Sequence, residues 1–368
     1  MIYLDNSATT YFKPLNVKRE VDVAMNLYTA NAGRASHKPA QYTAEKIFSV
    51  REKLKKLFGA EQHEVIFTSG CSSALNLAIL GTAKKGGHII TTYLEHNSIL
   101  RPLEYLKSQG IIDYTILDDL EIKSFENAVR PNTYMIITTQ VSNVTGEQMD
   151  TKSVSEVCKR NNLLYLLDTA QGAGHIFDNL NYVDMIAFAG HKGLYGLTGV
   201  GGLIVKTGLK LNPIKFGGTG TFSENLAQPA DMPDGFEVGT LPSISIMSLG
   251  AGIDYVVSNK SYLQNKENML NKNLYEMLSN LKGVKLYSGI NSKGVFSFNF
   301  KDFDSSFVSD YLSEEFDICT RAGLHCAPLV HSHFGTLDRG MVRVSISADN
   351  SLNDIKVLEQ ALKKLYLF

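Results

Sequence analysis

From about residue 64 to 205, short apolar runs alternate with helical stretches: VIFTSG, HIITTY, YMIITTQ, LLYLLD, DMIAFAG and VGGLIV are separated by segments such as SSALNLAILGTA and DTKSVSEVCKRNN. Near-continuous apolar runs followed by helices predict a mostly parallel sheet buried on both faces. Upstream, a helix is expected after Pro14 to about Tyr28. Pro39 opens a second, whose Tyr42, Ile47, Val50, Leu54 and Leu57 approximate one face before Gly59 stops it.

Downstream the rhythm changes. A Gly-rich stretch (Phe216 to Gly220) precedes a helix near 242–258 and a long helix near 261–281. The strands KLYSG, GVFSFNF and MVRVSIS follow, with helices between them, which reads as an α+β unit. We find no repeat, low-complexity tract or linker. The expected organisation is an α/β chain with a large unit over 15–245 and a small one built from 1–14 and 246–368.

Composition narrows the function. The 368 residues are 44% hydrophobic and carry a net charge of -1, with no basic block able to track a phosphate backbone, so nucleic acid is not an expected partner. No apolar stretch approaches the roughly 18 residues a bilayer requires, and MIYLDNSATT lacks the charge pattern of a secretion signal. The reading is a soluble cytoplasmic protein with no membrane partner. Four cysteines without a CxxC pair suggest neither a disulfide framework nor a structural zinc site.

Candidate chemistry gathers at strand ends. In AFAGHKGLYGLTGVGG an apolar strand delivers Gly190, His191 and Lys192 to the carboxyl edge of the sheet, where ligands bind in such folds; a plain surface lysine is the alternative. LLYLLDTAQ delivers Asp168, whose carboxylate needs a cationic partner such as a protonated pyridine nitrogen, unless it caps a following helix. In VIFTSGCSSALN, Ser69, Gly70, Cys71 and Ser72 enter a helix whose N-terminus suits a phosphate, although many such turns bind nothing. His96 in TTYLEHNS could stack on a planar ring or shuttle a proton, or be an ordinary loop histidine. Asn143 in TTQVSNVTG and Arg343 in MVRVSIS could converge on an amino-acid carboxylate.

In RAGLHCAPLVH, Cys326 occupies a loop between a strand and a Pro-containing turn. Arg321, His325 and His331 are near in sequence, and cationic neighbours favour the nucleophilic thiolate. A small buried hydrophobe is one alternative. A metal site of Cys326, His331 and His333 is another, without a fourth ligand or helical spacing to support it. Cys158, aligned with Val154 and Val157, and Cys319 in a short strand are expected to be structural. At Cys71 the backbone matters more than the sulfur.

Taken in order from YLDNSATT to VRVSIS, these motifs resemble the class V aminotransferase superfamily of fold-type I pyridoxal 5'-phosphate (PLP) enzymes, in particular its cysteine desulfurases. By that resemblance Lys192 in GHK holds PLP as an internal aldimine and acts as general acid/base. Asp168 binds the pyridine nitrogen, Gln171 the ring hydroxyl, and His96 stacks on the ring. Gly70, Cys71, Ser72 and His191 hold the phosphate, joined by Thr240 in FEVGT from a second subunit, which implies a homodimer. Asn143 and Arg343 grip the substrate carboxylate, Arg321 belongs to the same RAG-x-HC motif, and Cys326 forms a persulfide.

The implied reaction turns L-cysteine into L-alanine and leaves a persulfide for a sulfur-acceptor protein, placing the chain in sulfur metabolism such as iron–sulfur cluster assembly. Selenocysteine lyase, another aminotransferase or PLP lyase, and an inactive scaffold are the competing readings. The sequence departs from the family pattern at Ala189, where a hydroxyl residue is common, at Leu324, where some relatives carry histidine, and at Pro328 and His331 after the cysteine. These positions bear on phosphate affinity and on the acceptor.

Overall fold

The protein was analysed as a computed structural model, which describes residues 1–32, 35–221 and 223–367. A short strand β1 (Ile2–Tyr3) precedes two helices, α1 (Leu15–Leu27) and α2 (Lys38–Phe58). Alternating elements follow: β2 (His63–Thr68), α3 (Cys71–Gly81), β3 (Gly87–Thr92), α4 (Asn97–Ser108), β4 (Ile112–Leu117) and α5 (Ile122–Ala128). Next come β5 (Thr133–Thr139), α6 (Thr151–Asn161), β6 (Leu164–Asp168), β7 (Met185–Ala189) and β8 (Gly201–Lys206).

Strands β2 to β8 form one seven-stranded sheet in the order β2-β8-β7-β6-β5-β3-β4. Neighbours from β7 through β4 are parallel, while β8 runs antiparallel to both β2 and β7. The sheet is thus mostly parallel and mixed, as expected. Its central strands are buried on both faces, the MIAFA of β7 completely, which explains why they read as unbroken apolar runs.

Helix α2 follows its predicted stripe through Ile47, Val50 and Leu54, and Gly59 closes it in the left-handed conformation at φ 61°. Tyr42, assigned to the inner face by the sequence pattern, is exposed, and Ala40 and Thr43 take the inner positions of that first turn.

The remaining elements are α7 (Ser243–Ser258), α8 (Lys260–Asn280), β9 (Val284–Leu286), β10 (Val295–Phe300), α9 (Ser305–Phe316), β11 (Ile318–Cys319), α10 (Pro328–His333), β12 (Val342–Ser345) and α11 (Leu352–Leu365). Antiparallel β12-β10-β9 packs Phe296, Phe298 and Phe300 against α8, α9 and α11 in an apolar cluster of its own. Leu4 joins that cluster, and β1 pairs in parallel with β11.

Because β2, β3, β5, β6 and β7 point the same way, Gly70, His96, Asn143 and Lys192 follow the carboxyl ends of strands in one sheet, and Asp168 forms such an end.

Candidate active site

A cavity of about 300 Å³ opens at this edge, and Gly70, Cys71, Ser72, His96, Asn143, Asp168, Gln171, His191 and Lys192 all line it. Nine residues separated by up to 122 positions meet at one concavity because five parallel strands end there.

Each wall is held by a local device. Gly70 and Cys71 lead into α3, and β8 presses against this turn: a Cβ on Gly201 would stand 2.7 Å from the Gly70 Cα and 2.6 Å from the Phe188 carbonyl oxygen. Only glycine permits that approach. The Ser72 hydroxyl meets the Ser98 hydroxyl at 2.7 Å, and Ser98 Oγ meets His96 Nδ1 at 2.8 Å. His96 caps α4, its Nδ1 accepting from the Ser98 amide, so the neutral ring carries its proton on Nε2. Burial lowers the His96 pKa and favours that neutral form.

Asp168 closes β6 and is 4% exposed. No helix follows it. Its Oδ1 instead accepts from the Ala170 amide at 2.8 Å and from the Cys71 thiol at 3.3 Å, which makes a tight turn in place of the helix cap considered from sequence. Burial beside Asp168 pushes the Cys71 thiol well up, so it stays a neutral donor. Oδ2 receives no hydrogen bond from any described residue.

Lys192 lies in the turn after β7. Burial lowers its pKa, with the Asp168 charge opposing the shift. Its amine meets no hydrogen-bond partner among the described residues. The backbone around it is locked by a segment for which the sequence pattern gave no role: Thr10 Oγ1 donates to the carbonyls of His191 and Lys192, Thr9 Oγ1 to that of His191, and Lys13 Nζ to that of His191. Burial and the charges of Lys192 and Lys13 lower the His191 pKa to about 4, so its ring is neutral at Thr9. Gln171 is buried and donates to the Ser7 carbonyl at 3.0 Å. The YLDNSATT motif is the signal that could have pointed to this strap.

Arg343 is 1% exposed, and its guanidinium is partly committed. Nη2 donates to Asp5 at 2.7 Å, Nη1 donates to the Asn143 carbonyl at 3.0 Å, and Nε has no partner. Arg343 thus touches the Asn143 main chain, while only Asn143 of the two lines the cavity and its Nδ2 is committed to the His325 carbonyl. Asp5 was not foreseen.

Cys326 is exposed and does not line the cavity, but its loop is tied to the walls: the Asn97 amide donates to the Cys326 carbonyl, and Asn143 Nδ2 donates to the His325 carbonyl, both at 2.7 Å. Arg321 is half-buried and exchanges backbone hydrogen bonds with Arg343.

Two expectations need revision, and the metal alternative gains no support. His325 and His331 are buried, and burial lowers both pKa values, so they are neutral and the positive charge near Cys326 belongs to arginine. Pro328 opens the short helix α10 rather than a turn. In the metal reading, His331 is bonded to Thr336 and His333 is stacked on Tyr93 at 4.2 Å, so neither is directed to a site shared with Cys326. Thr240 is exposed and lies outside the cavity, in an adjacent depression that shares Ser69 and Ser73 with it.

The donor set fits PLP: a buried carboxylate with an uncommitted oxygen, a partnerless lysine amine of lowered pKa, and hydroxyls with backbone N–H groups at the start of α3 share one cavity of suitable size. The family model described as Aminotransferase class-V matches residues 2–358. The chain belongs to the class-V aminotransferase family. This class-V chain is 31% identical to a probable cysteine desulfurase of Methanothermobacter thermautotrophicus, over 99% of the chain and 94% of the relative. It is 30% identical to one of Halalkalibacterium halodurans, over 99% and 93%. The apo structure of cysteine desulfurase from Thermococcus onnurineus NA1 superposes with a TM-score of 0.91 at 29% identity, covering 99% of this chain and 94% of that one.

Proposed function

We propose that this chain is a PLP-dependent cysteine desulfurase that moves the sulfur of L-cysteine onto Cys326 and releases L-alanine. One observation carries the reading: the cavity that unites Lys192, Asp168 and His96 is tied to the loop that presents an exposed cysteine, through its wall residue Asn143 and through Asn97, which sits between the wall residues His96 and Ser98. An aminotransferase would have no use for that cysteine.

The cofactor, when bound, supplies the sink for electrons released at the substrate α-carbon. Lys192 Nζ is the base for the α-proton, and its lowered pKa keeps a larger share of the amine free at neutral pH. Asp168 offers its uncommitted Oδ2 to a ring N–H. His96 would flank the ring, and Gly70, Cys71, Ser72 and His191 would hold the phosphate, Ala189 adding no hydroxyl. Asn143, which lines the cavity, is assigned to the substrate carboxylate together with Arg343 and Arg321, which lie behind its wall. The Cys326 thiolate attacks the substrate sulfur, the S–S bond forms as the Cβ–S bond breaks, and one proton delivered to Cβ and one returned by Lys192 to the α-carbon complete alanine. Sulfur balances as two thiols, that of the substrate and that of Cys326, becoming one persulfide, and the carbon that loses its sulfur is reduced as the sulfur is oxidised.

The exposure of Cys326 supports delivery to an acceptor protein, as in iron–sulfur cluster assembly. Thr240, lying outside its own chain's cavity, supports a homodimer in which it reaches the partner's phosphate. We assign 15–245 to a large unit and 1–14 with 246–368 to a small one. The protein loaded with PLP and given L-cysteine and a dithiol should yield alanine and sulfide in equal amounts, with neither formed by Lys192→Ala. Keto-acid formation instead would overturn the reading.

A further inference from the structure

Beside Cys326 lies a chain of buried polar groups that the reaction as derived does not use. His325 Nε2 is 3.3 Å from the Arg321 carbonyl oxygen, His325 Nδ1 is 3.4 Å from His331 Nε2, and His331 Nδ1 is 2.9 Å from the Thr336 hydroxyl. Both rings are buried and lie 23° from parallel. A carbonyl only accepts, so the proton on His325 sits at Nε2, and a neutral His325 must accept at Nδ1. His331 therefore donates from Nε2 and accepts at Nδ1 from Thr336. With the Thr336 hydroxyl directed to His331 Nδ1 at 2.9 Å rather than to the His331 carbonyl at 3.5 Å, one tautomer pair satisfies every link, and burial together with Arg343 keeps His325 neutral.

The backbone at this point is unusual. His325 and Cys326 are consecutive non-glycine residues in the left-handed region, at φ 52° and 57°. Such residues persist only where their surroundings hold them. The surroundings here are the two carbonyl anchors, from Asn97 and Asn143, and the ring chain fixed to Thr336.

We propose that His331, through His325, is a positioning residue that holds Cys326 in its left-handed geometry and so sets the rate of sulfur capture. The proposal rests on Cys326 being the sulfur acceptor. His331 touches neither substrate nor cofactor in this account. Its loss acts on the second half of the reaction, after L-cysteine has bound.

The test uses the PLP-loaded full chain. His331→Leu removes the donor; His331→Gln restores an amide N–H near the Nε2 position; Thr336→Val removes the group that fixes the tautomer and is a milder change should the leucine variant not fold. We expect Leu, and Thr336→Val more weakly, to slow persulfide formation in a single turnover by roughly ten- to a hundredfold. KM for L-cysteine and the cysteine-induced absorbance change should stay as in wild type, and Gln should recover most of the loss. In the cofactor-free protein the Asn97 amide, bonded to the Cys326 carbonyl, should exchange faster in the variants that lose the link. Wild-type persulfide rates in both His331→Leu and Thr336→Val, or a rise in KM that accounts for the whole defect, would overturn the positioning role alone. If wild type itself places no sulfur on Cys326, the desulfurase reading falls and this proposal with it.

Discussion

Glu95 offers a quantitative check on the electrostatics of the site. It lies just before His96, is fully buried, and accepts at Oε1 from Thr92 Oγ1 at 2.7 Å and from the Thr139 amide at 3.2 Å, while Oε2 has no partner. Thr139 is the register neighbour of Asp168 across β5 and β6. Burial, with the nearby Asp168 charge, pushes the Glu95 pKa up to about 8 from an ordinary 4.5, against the hydrogen bond from Thr92. The folded protein then retains a proton that the unfolded chain releases. Stability from this group is complete below the unfolded value, near pH 4.5, and declines as pH rises toward the folded one by about 1.4 kcal/mol per pH unit.

Glu95→Gln keeps the shape and removes the titration. Relative to wild type it should be within about 1 kcal/mol at pH 5 and more stable by ~3–4 kcal/mol at pH 7.5. Urea unfolding of the two cofactor-free proteins at about pH 5, 6.5 and 7.5 reads the difference directly. A gap that does not widen with pH would refute the reasoning. A neutral Glu95 keeps a second negative charge away from Asp168, which favours the role proposed for that carboxylate at a cofactor nitrogen.

Other substitutions probe other supports of the site. Glu237→Ala strips Arg51 of a bidentate partner, at 2.9 and 2.6 Å, and the Phe67 amide of its acceptor; breaking this buried pair should cost ~3–5 kcal/mol in urea unfolding. Because Glu237 lies three residues before Thr240, PLP retention should also weaken, and a loss below about 1 kcal/mol would argue against the clamp. Gly193→Ala puts a Cβ 2.3 Å from the Ala173 carbonyl oxygen beside Lys192, so PLP content after dialysis should fall along with thermal stability; full retention would show that the Lys192 turn can yield. Asp168→Asn should lower alanine production by about a hundredfold or more, as loss of a preorganised charge does, and near-normal turnover would remove Asp168 from its role.

The sheet was legible because strands buried on both faces are apolar without interruption. Edge strand β4 was less so, since Asp113 and Thr115 dilute its pattern, and apolar periodicity carries no information on the reversal of β8. Lys192, Asp168 and His96 could be picked out as polar residues placed immediately after such strands. Their supports could not: Thr9 reaches His191 and Thr10 reaches Lys192 across 182 residues each, and Asp5 reaches Arg343 across 338, distances that no local spacing encodes. The charge state of His325 and His331 was misjudged for a related reason, because proximity in sequence suggested cations where burial makes neutral rings.

The central claim is that sulfur passes to Cys326. A single turnover of the PLP-loaded protein with sulfur-labelled L-cysteine, quenched, digested under non-reducing conditions and mapped by mass spectrometry, should place one labelled sulfur atom on the Cys326 peptide and none on those of Cys71, Cys158 or Cys319. Cys326→Ala should carry no label and form no alanine. Label on another cysteine, or alanine released at the wild-type rate by Cys326→Ala, would contradict the account.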